Sequence, residues 1–188
     1  VQPNAIKTWA MERGIPVVQP AQFDEPAIQE LTDLSPDIIL VMAYGHLLPK
    51  AVLELPKLGI YNIHTSLLPA LRGASPIETA VASGFEESGV SLMRFVMKMD
   101  AGPVCERELV PISNQETGGS LRQKMAQASP RVLGRNLSMV LEGSVSSTEQ
   151  NEDEVSYCRL LVKQDGQLDF SKSAKWLSHR INGLFPWP

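Results

Sequence analysis

At 188 residues the chain has room for one ordinary domain with a short extension, and its 43% hydrophobic content against 20% charged residues excludes wholesale disorder. With 17 Lys and Arg against 21 Asp and Glu, its net charge of -4 excludes a polybasic binder, so any nucleic acid has to be met by a local patch. No apolar run approaches the roughly 18–20 residues of a bilayer span and the N-terminus lacks the pattern of a signal peptide, which points to a cytoplasmic protein without membrane contact.

Residues 4–13 read as a short helix ended by Gly14, followed at 15–18 by a buried β-branched strand. Asp24 and Pro26 open a second helix reaching residue 34. The nearly continuous apolar run at 37–43 then reads as a parallel strand buried on both faces, turning at Tyr44-Gly45-His46. A helix at 49–55 leads to a strand at 59–64 and a turn-rich loop at 65–74. Ser75-Pro76 cap the next helix, with Glu78 placed for a capping box and Gly84 at its end. Strands at 90–96 and 104–112 flank a tight connector at 98–103.

Leu121, Met125, Ala128, Val132, Leu133, Leu137 and Val140 give helical periodicity across Pro130, so one bent helix or two abutting ones fill 117–141. Residues 142–154 carry acids and no bases and read as a solvated connector. The span 159–180 reverses the sign and is a candidate anionic-ligand patch, on a short strand and then a helix at 171–182. The chain ends on prolines around Phe185 and Trp187, read as a buried aromatic pair. This alternation argues for an α/β fold, an open, mostly parallel sheet with flanking helices, whose ligands sit beyond the strand ends. Residues 1–154 read as the core, and 155–188 as a C-terminal strand, helix and linker towards a second domain.

Cys105 and Cys158 are far apart and have no CxxC partner, which argues against a disulfide framework or a metal knuckle. The glycines form neither a GxGxxG nor a phosphate loop. Three polar residues stand where an α/β site is expected. Asn62 and His64 share one face of their strand, and Asp100 sits in the following tight connector. An amide, an imidazole and a carboxylate at neighbouring strand ends can serve acyl transfer, though the residue types alone leave the function open. Asn62 can donate to a developing oxyanion, His64 can do the same or shuttle a proton, and Asp100 can orient the ring or take a proton through water.

The run Tyr61-Asn62-Ile63-His64-Thr65-Ser66-Leu67-Leu68-Pro69-Ala70-Leu71-Arg72-Gly73 resembles the Asn-x-His, Ser-Leu-Leu-Pro-x-x-Arg-Gly signature of the 10-formyltetrahydrofolate-dependent formyltransferases. The resemblance extends through Val41 to Gly45, Leu48-Pro49-Lys50 and Asp100-Ala101-Gly102, and covers essentially the whole chain. Arg72-Gly73-Ala74-Ser75-Pro76-Ile77 and the Pro-Trp-Pro end are similar to the branch acting on methionyl-tRNA.

The resemblance implies a Rossmann-like formyltransferase sheet and transfer of a formyl group from 10-formyltetrahydrofolate, a co-substrate, to the α-amine of initiator methionyl-tRNA in translation initiation. It implies no metal. Asn62, His64 and Asp100 match the catalytic trio. Met42, Ala43, Tyr44 and Gly45, with Val96 and Met99, would border the pterin. Ser66, Leu67, Leu68, Pro69, Arg72 and Gly73 match the substrate loop, Ser66 as a loop-ordering hydroxyl and Arg72 as a loop anchor, a phosphate contact or one half of an internal salt bridge.

Set against the family pattern, the chain starts at Val1 after two family strands and a basic insertion, and stops before a C-terminal domain. This implies a monomeric fragment with weak tRNA affinity. The alternatives are another formyl-folate enzyme, either glycinamide ribonucleotide formyltransferase or formyltetrahydrofolate hydrolase, or an inactive folate-binding fragment.

Overall fold

A computed structural model describes residues 3–45 and 48–188. Helix α1 (Ala5–Glu12) starts where Asn4 accepts from the Lys7 amide, and α2 (Glu25–Asp33) where Asp24 accepts from the Ala27 amide, the two side-chain caps that the residue types call for. Strand β1 (Ile39–Met42), helix α3 (Lys50–Leu53) and strand β2 (Ile60–His64) follow. After them come β3 (Arg72–Gly73), α4 (Pro76–Ala82), the antiparallel pair β4 (Glu87–Arg94) and β5 (Val104–Pro111), and α5 (Gly118–Leu141). Strand β6 (Tyr157–Cys158) and helix α6 (Ala174–Leu184) close the chain.

The main sheet has the order β1-β2-β4-β5, and β3 pairs in parallel with β6 as a separate ribbon. Strand β1 is parallel to β2, while β2-β4 and β4-β5 are antiparallel. The α/β class with flanking helices therefore holds, and the sheet is mixed where a mostly parallel one was expected. For β4-β5 the cause is the short connector at 98–103, which permits a hairpin return where a parallel return needs a crossover of a dozen residues or more; β2 and β4 are joined by a longer connection through α4 and are antiparallel as well.

Both faces of β2 are buried. On one, Tyr61 and Ile63 pack with Val90, Leu92 and the α5 residues Leu121, Met125, Ala128, Val132 and Val140. On the other, Ile60 packs with Val41, Val52 and, at the edge of the cluster, Phe23 and Leu31. Helix α5 runs unbroken through Pro130, and Ser129 Oγ donates to Met125 O at 2.8 Å. Leu137, expected in the core, is exposed, and Asn136 is buried in its place.

Other expectations change for physical reasons. Residues 15–18 form no strand and are largely exposed, because Pro16 removes a donor and no neighbouring strand pairs with them among the described residues. Strand β1 is an edge strand with Leu40 and Met42 about half exposed, so it is not buried on both faces. Its turn takes the left-handed conformation at Ala43, not at Gly45, and His46 lies outside the described residues. Ser75 makes no side-chain cap and Glu78 no capping box; Ser75 Oγ accepts from Leu161 N at 3.3 Å, and Glu78 pairs with Arg122.

The basic span is partly neutralised from within, since Asp165 faces both Arg159 and Arg180 and Asp169 lies 3.9 Å from Lys172. Its helix begins at Ala174, and its strand, β6, lies upstream of it. Phe185 and Trp187 are exposed, contrary to the buried pair expected. Beyond residue 154 the chain stays in contact with the core: β6 pairs with β3, Phe185 O accepts from Gly119 N, and α6 packs so tightly on α4 that a Cβ on Gly183 would meet Ala82. Among the described residues no helix is long and apolar enough to cross a membrane.

Candidate active site

The face of β2 that carries Ile60 turns polar towards its C-terminal end, where Asn62 and His64 point the same way by the two-residue period of a strand. Both are buried. Asp100 reaches them from the turn after β4. Its Oδ1 accepts from Asn62 Nδ2 at 3.3 Å, its Oδ2 accepts from the Gly73 amide at 2.9 Å, and the same Oδ2 lies 3.8 Å from His64 Nδ1. Asp100 holds a left-handed backbone conformation at φ 47°, uncommon for a residue with a side chain.

His64 Nε2 lies 2.9 Å from Leu71 O. A carbonyl only accepts, so Nε2 carries the hydrogen and Nδ1 is the ring atom left to gain or lose a proton. That atom faces Asp100. Asn62 spends one amide hydrogen on Asp100 and keeps the other for a further acceptor.

The loop after β2 is curled so that Leu71 O meets the ring. Ser66 Oγ donates to Ala70 O at 2.5 Å, Leu68 N donates to Ser91 Oγ at 3.1 Å, and Ser91 Oγ donates to Ser66 O at 2.7 Å. Arg107 Nε donates to Leu68 O at 2.7 Å, and Leu71, at φ 58°, donates its amide to Ser156 Oγ at 2.9 Å. Ser66 thus orders the loop that contains it. Leu68 is in the core beside Met93 and Val104, and Pro69 follows it, its carbonyl accepting from Ser156 N. Leu67 lies against Gly89, where a Cβ would meet its side chain at 2.4 Å.

Arg72 is wholly buried. Its Nε donates to Gln150 Oε1 and its Nη2 to Glu152 Oε1, each at 3.0 Å, while Nη1 has no partner. This is the anchored, ion-paired arrangement, and it leaves Arg72 no surface to offer a phosphate. Hydrogen bonds from Lys98 and then Arg72 hold the Glu152 carboxyl below its ordinary value. Gly73 approaches β6 so closely that a Cβ would lie 2.0 Å from Cys158 O. Burial pushes the Cys105 and Cys158 thiols up, so neither is a ready nucleophile.

The residues expected to border a pterin are not gathered in the same way. In register Met42 stands beside Ile63, and alternation puts its side chain on the face opposite Asn62, so it can border the site only through its backbone. Ala43, Tyr44 and Gly45 follow it. Val96 lies beyond Arg94, which pairs with Tyr61, and so towards the other end of β2; Met99 sits in the Asp100 turn, exposed.

Gln150, Glu152, Ser91 and Ser156 were not anticipated. Gln150 and Glu152 belong to the stretch read as a solvated connector, which in fact bridges back to Val104 through Thr148 and holds Arg72. No periodicity or motif marks them. Among the described residues no three His, Cys, Asp or Glu side chains are gathered as metal ligands would be.

Residues 4–137 match the formyl transferase family. Over its whole length the chain is 40% identical to a methionyl-tRNA formyltransferase of Marinobacter nauticus, and it spans 61% of that relative. Among solved structures, a sugar 3N-formyl transferase determined with dTDP and 5-N-formyl-THF superposes with a TM-score of 0.78 at 19% identity, covering 96% of this chain and 63% of that one. HypX from Aquifex aeolicus in complex with tetrahydrofolic acid superposes with a TM-score of 0.76 at 18% identity, covering 95% of this chain and 31% of that one. At these identities the two structures speak for the fold alone.

Proposed function

The chain belongs to the formyl transferase family, and from that premise we propose that it carries formyl transfer from 10-formyltetrahydrofolate to the α-amine of initiator methionyl-tRNA. The observation that carries the reading is the convergence of Asn62, His64 and Asp100 at one end of β2, with ring and carboxylate each fixed by a second bond to the loop, at Leu71 O and Gly73 N. The whole-length similarity to a methionyl-tRNA formyltransferase supports the choice of acceptor.

In this reaction the amine nitrogen bonds to the formyl carbon, the carbonyl oxygen becomes an oxyanion, and the bond to N10 of the folate then breaks. The unspent amide hydrogen of Asn62 is the donor for that oxyanion. His64, held through Nε2–H, has Nδ1 as its proton-exchanging atom. Asp100 beside it balances the imidazolium formed when Nδ1 takes the proton released by the amine, and that proton then goes to N10 as it leaves. The folate reading is supported by chemistry that the chain displays: partly exposed Tyr44 and Met99 offer apolar surface near this end of β2, and among the described residues the outer edge of β1, Met42 included, has no strand paired to it and offers backbone donors and acceptors. For the tRNA, the basic 159–180 span offers less than its composition suggests, since Arg159 and Arg180 face Asp165 and Lys172 lies near Asp169.

The test is formyl transfer with 10-formyltetrahydrofolate and methionyl-tRNA. N62A should lose about 10²–10³ in kcat, the usual loss of one oxyanion donor. H64A should likewise lower turnover far more than folate affinity, because both contacts matter most in the transition state. An unchanged rate in either variant overturns the assignment. Formate released at the same rate without tRNA makes water the acceptor instead.

A further inference from the structure

The connector after α5 grips the turn that carries Asp100. Gln150 is buried, and its amide is fully spent: Nε2 donates to Asp100 O at 2.8 Å and to Gly102 O at 2.7 Å, and Oε1 accepts from Arg72 Nε at 3.0 Å. Glu152 extends the clamp by joining Arg72 Nη2 through Oε1 and Lys98 Nζ through Oε2, at 3.0 and 2.8 Å. One glutamine thus ties both halves of the Asp100 turn to the β3 residue that precedes Gly73, and it is the Gly73 amide that holds the Asp100 carboxylate.

A non-glycine residue keeps a left-handed conformation only where its surroundings over-determine it. At Asp100 the carbonyl is held by Gln150, the carboxylate by Gly73 N and Asn62, and the turn two residues on again by Gln150. We infer that Gln150 is a positioning residue: through the Asp100 and Gly102 carbonyls it sets the place of the Asp100 carboxylate relative to His64 Nδ1 and Asn62. The inference rests on the formyl-transfer reading. Gln150 touches no reacting atom and acts through Asp100.

The test is a double-mutant cycle read by single-turnover formyl transfer on the protein. Q150M keeps the length and apolar volume of the side chain and removes its donors and acceptor. It is expected to slow transfer by about 10–100-fold while leaving the KM for the formyl donor within about threefold, since a shift on the order of 1 Å at a reacting group has effects of that size. In a D100A background the same substitution should add less than about twofold, because a residue that acts through Asp100 has nothing left to position.

Equal fold-losses in both backgrounds, or a wild-type rate in Q150M, overturn the inference while the formyl-transfer reading stands. A wild type without transfer, or D100A at the wild-type rate, overturns that reading and this role with it. Should Q150M not fold, Q150N takes its place in the cycle, keeping an amide but one methylene too short to reach both carbonyls.

Discussion

Gly102 puts the link between packing and catalysis to a direct test. A Cβ built on it would lie 1.8 Å from Arg94 O and 3.2 Å from Met93 Cε, where ordinary contact begins at 3.4 Å, so in G102A the Asp100 turn and the end of β4 have to part by roughly 1.6 Å. The backbone there is not left-handed, so alanine is not strained in itself and the cost is crowding alone.

Parting them breaks or stretches the Arg94 N–Pro103 O bond of 2.9 Å and the Gln150 Nε2–Gly102 O bond of 2.7 Å. At about 1 kcal/mol net each, with a further penalty for a carbonyl left unpaired, G102A should lose about 2–4 kcal/mol of unfolding free energy in urea titration. Asp100 moves with the turn, and a misplacement on the order of 1 Å should lower kcat about 10²-fold. The control is G134A, in the middle of α5, where a Cβ meets nothing within 4 Å; helix propensity should stabilise it by up to about 1 kcal/mol with activity unchanged. A G102A protein within about 0.5 kcal/mol of wild type and equally active refutes the argument that this close approach places the carboxylate.

Two further outcomes can be checked. Two donors, Gly73 N and Asn62 Nδ2, meet the Asp100 carboxylate, and in D100N one of them faces an NH2 group; the variant should lose about 1–3 kcal/mol in stability and about 10²–10⁴ in turnover. Single-turnover transfer with a folate-binding titration separates the two, and a loss confined to folate affinity counts against a proton-transfer role. The depressed carboxyl of Glu152 contributes stability that is present above its ordinary value of 4.5 and is lost as pH falls through the folded-state value. The gap in melting temperature between wild type and E152Q should therefore be open at neutral pH and close in acid; a gap constant down to pH 3 counts against the ion pair with buried Arg72.

Local chemistry determined much of this protein. Asn4 and Asp24 cap their helices because short polar side chains before an amphipathic run satisfy free amides, and the alternation of Asn62 and His64 needs only a strand's two-residue period. The Asn-x-His and Ser-Leu-Leu-Pro-x-x-Arg-Gly signature carries the family resemblance in adjacent residues, so it is legible without a fold.

What adjacency cannot express was left to the tertiary structure. The direction of β4 beside β2 shows only in the sheet itself, because the long connection between them allows either direction. The exposure of residues 15–18 and of Met42 depends on whether a neighbour covers them, and an apolar run reads the same either way. Gln150 and Glu152 are polar residues in an acidic stretch by sequence, and become the clamp on Arg72 and Asp100 only because the chain brings residues 50–80 positions apart within hydrogen-bond reach. Asp100 shows the division most plainly. Its residue type suits proton chemistry, but its left-handed backbone and its bonds to Gly73 and Asn62 come from three separate segments whose packing holds the carboxylate beside the imidazole.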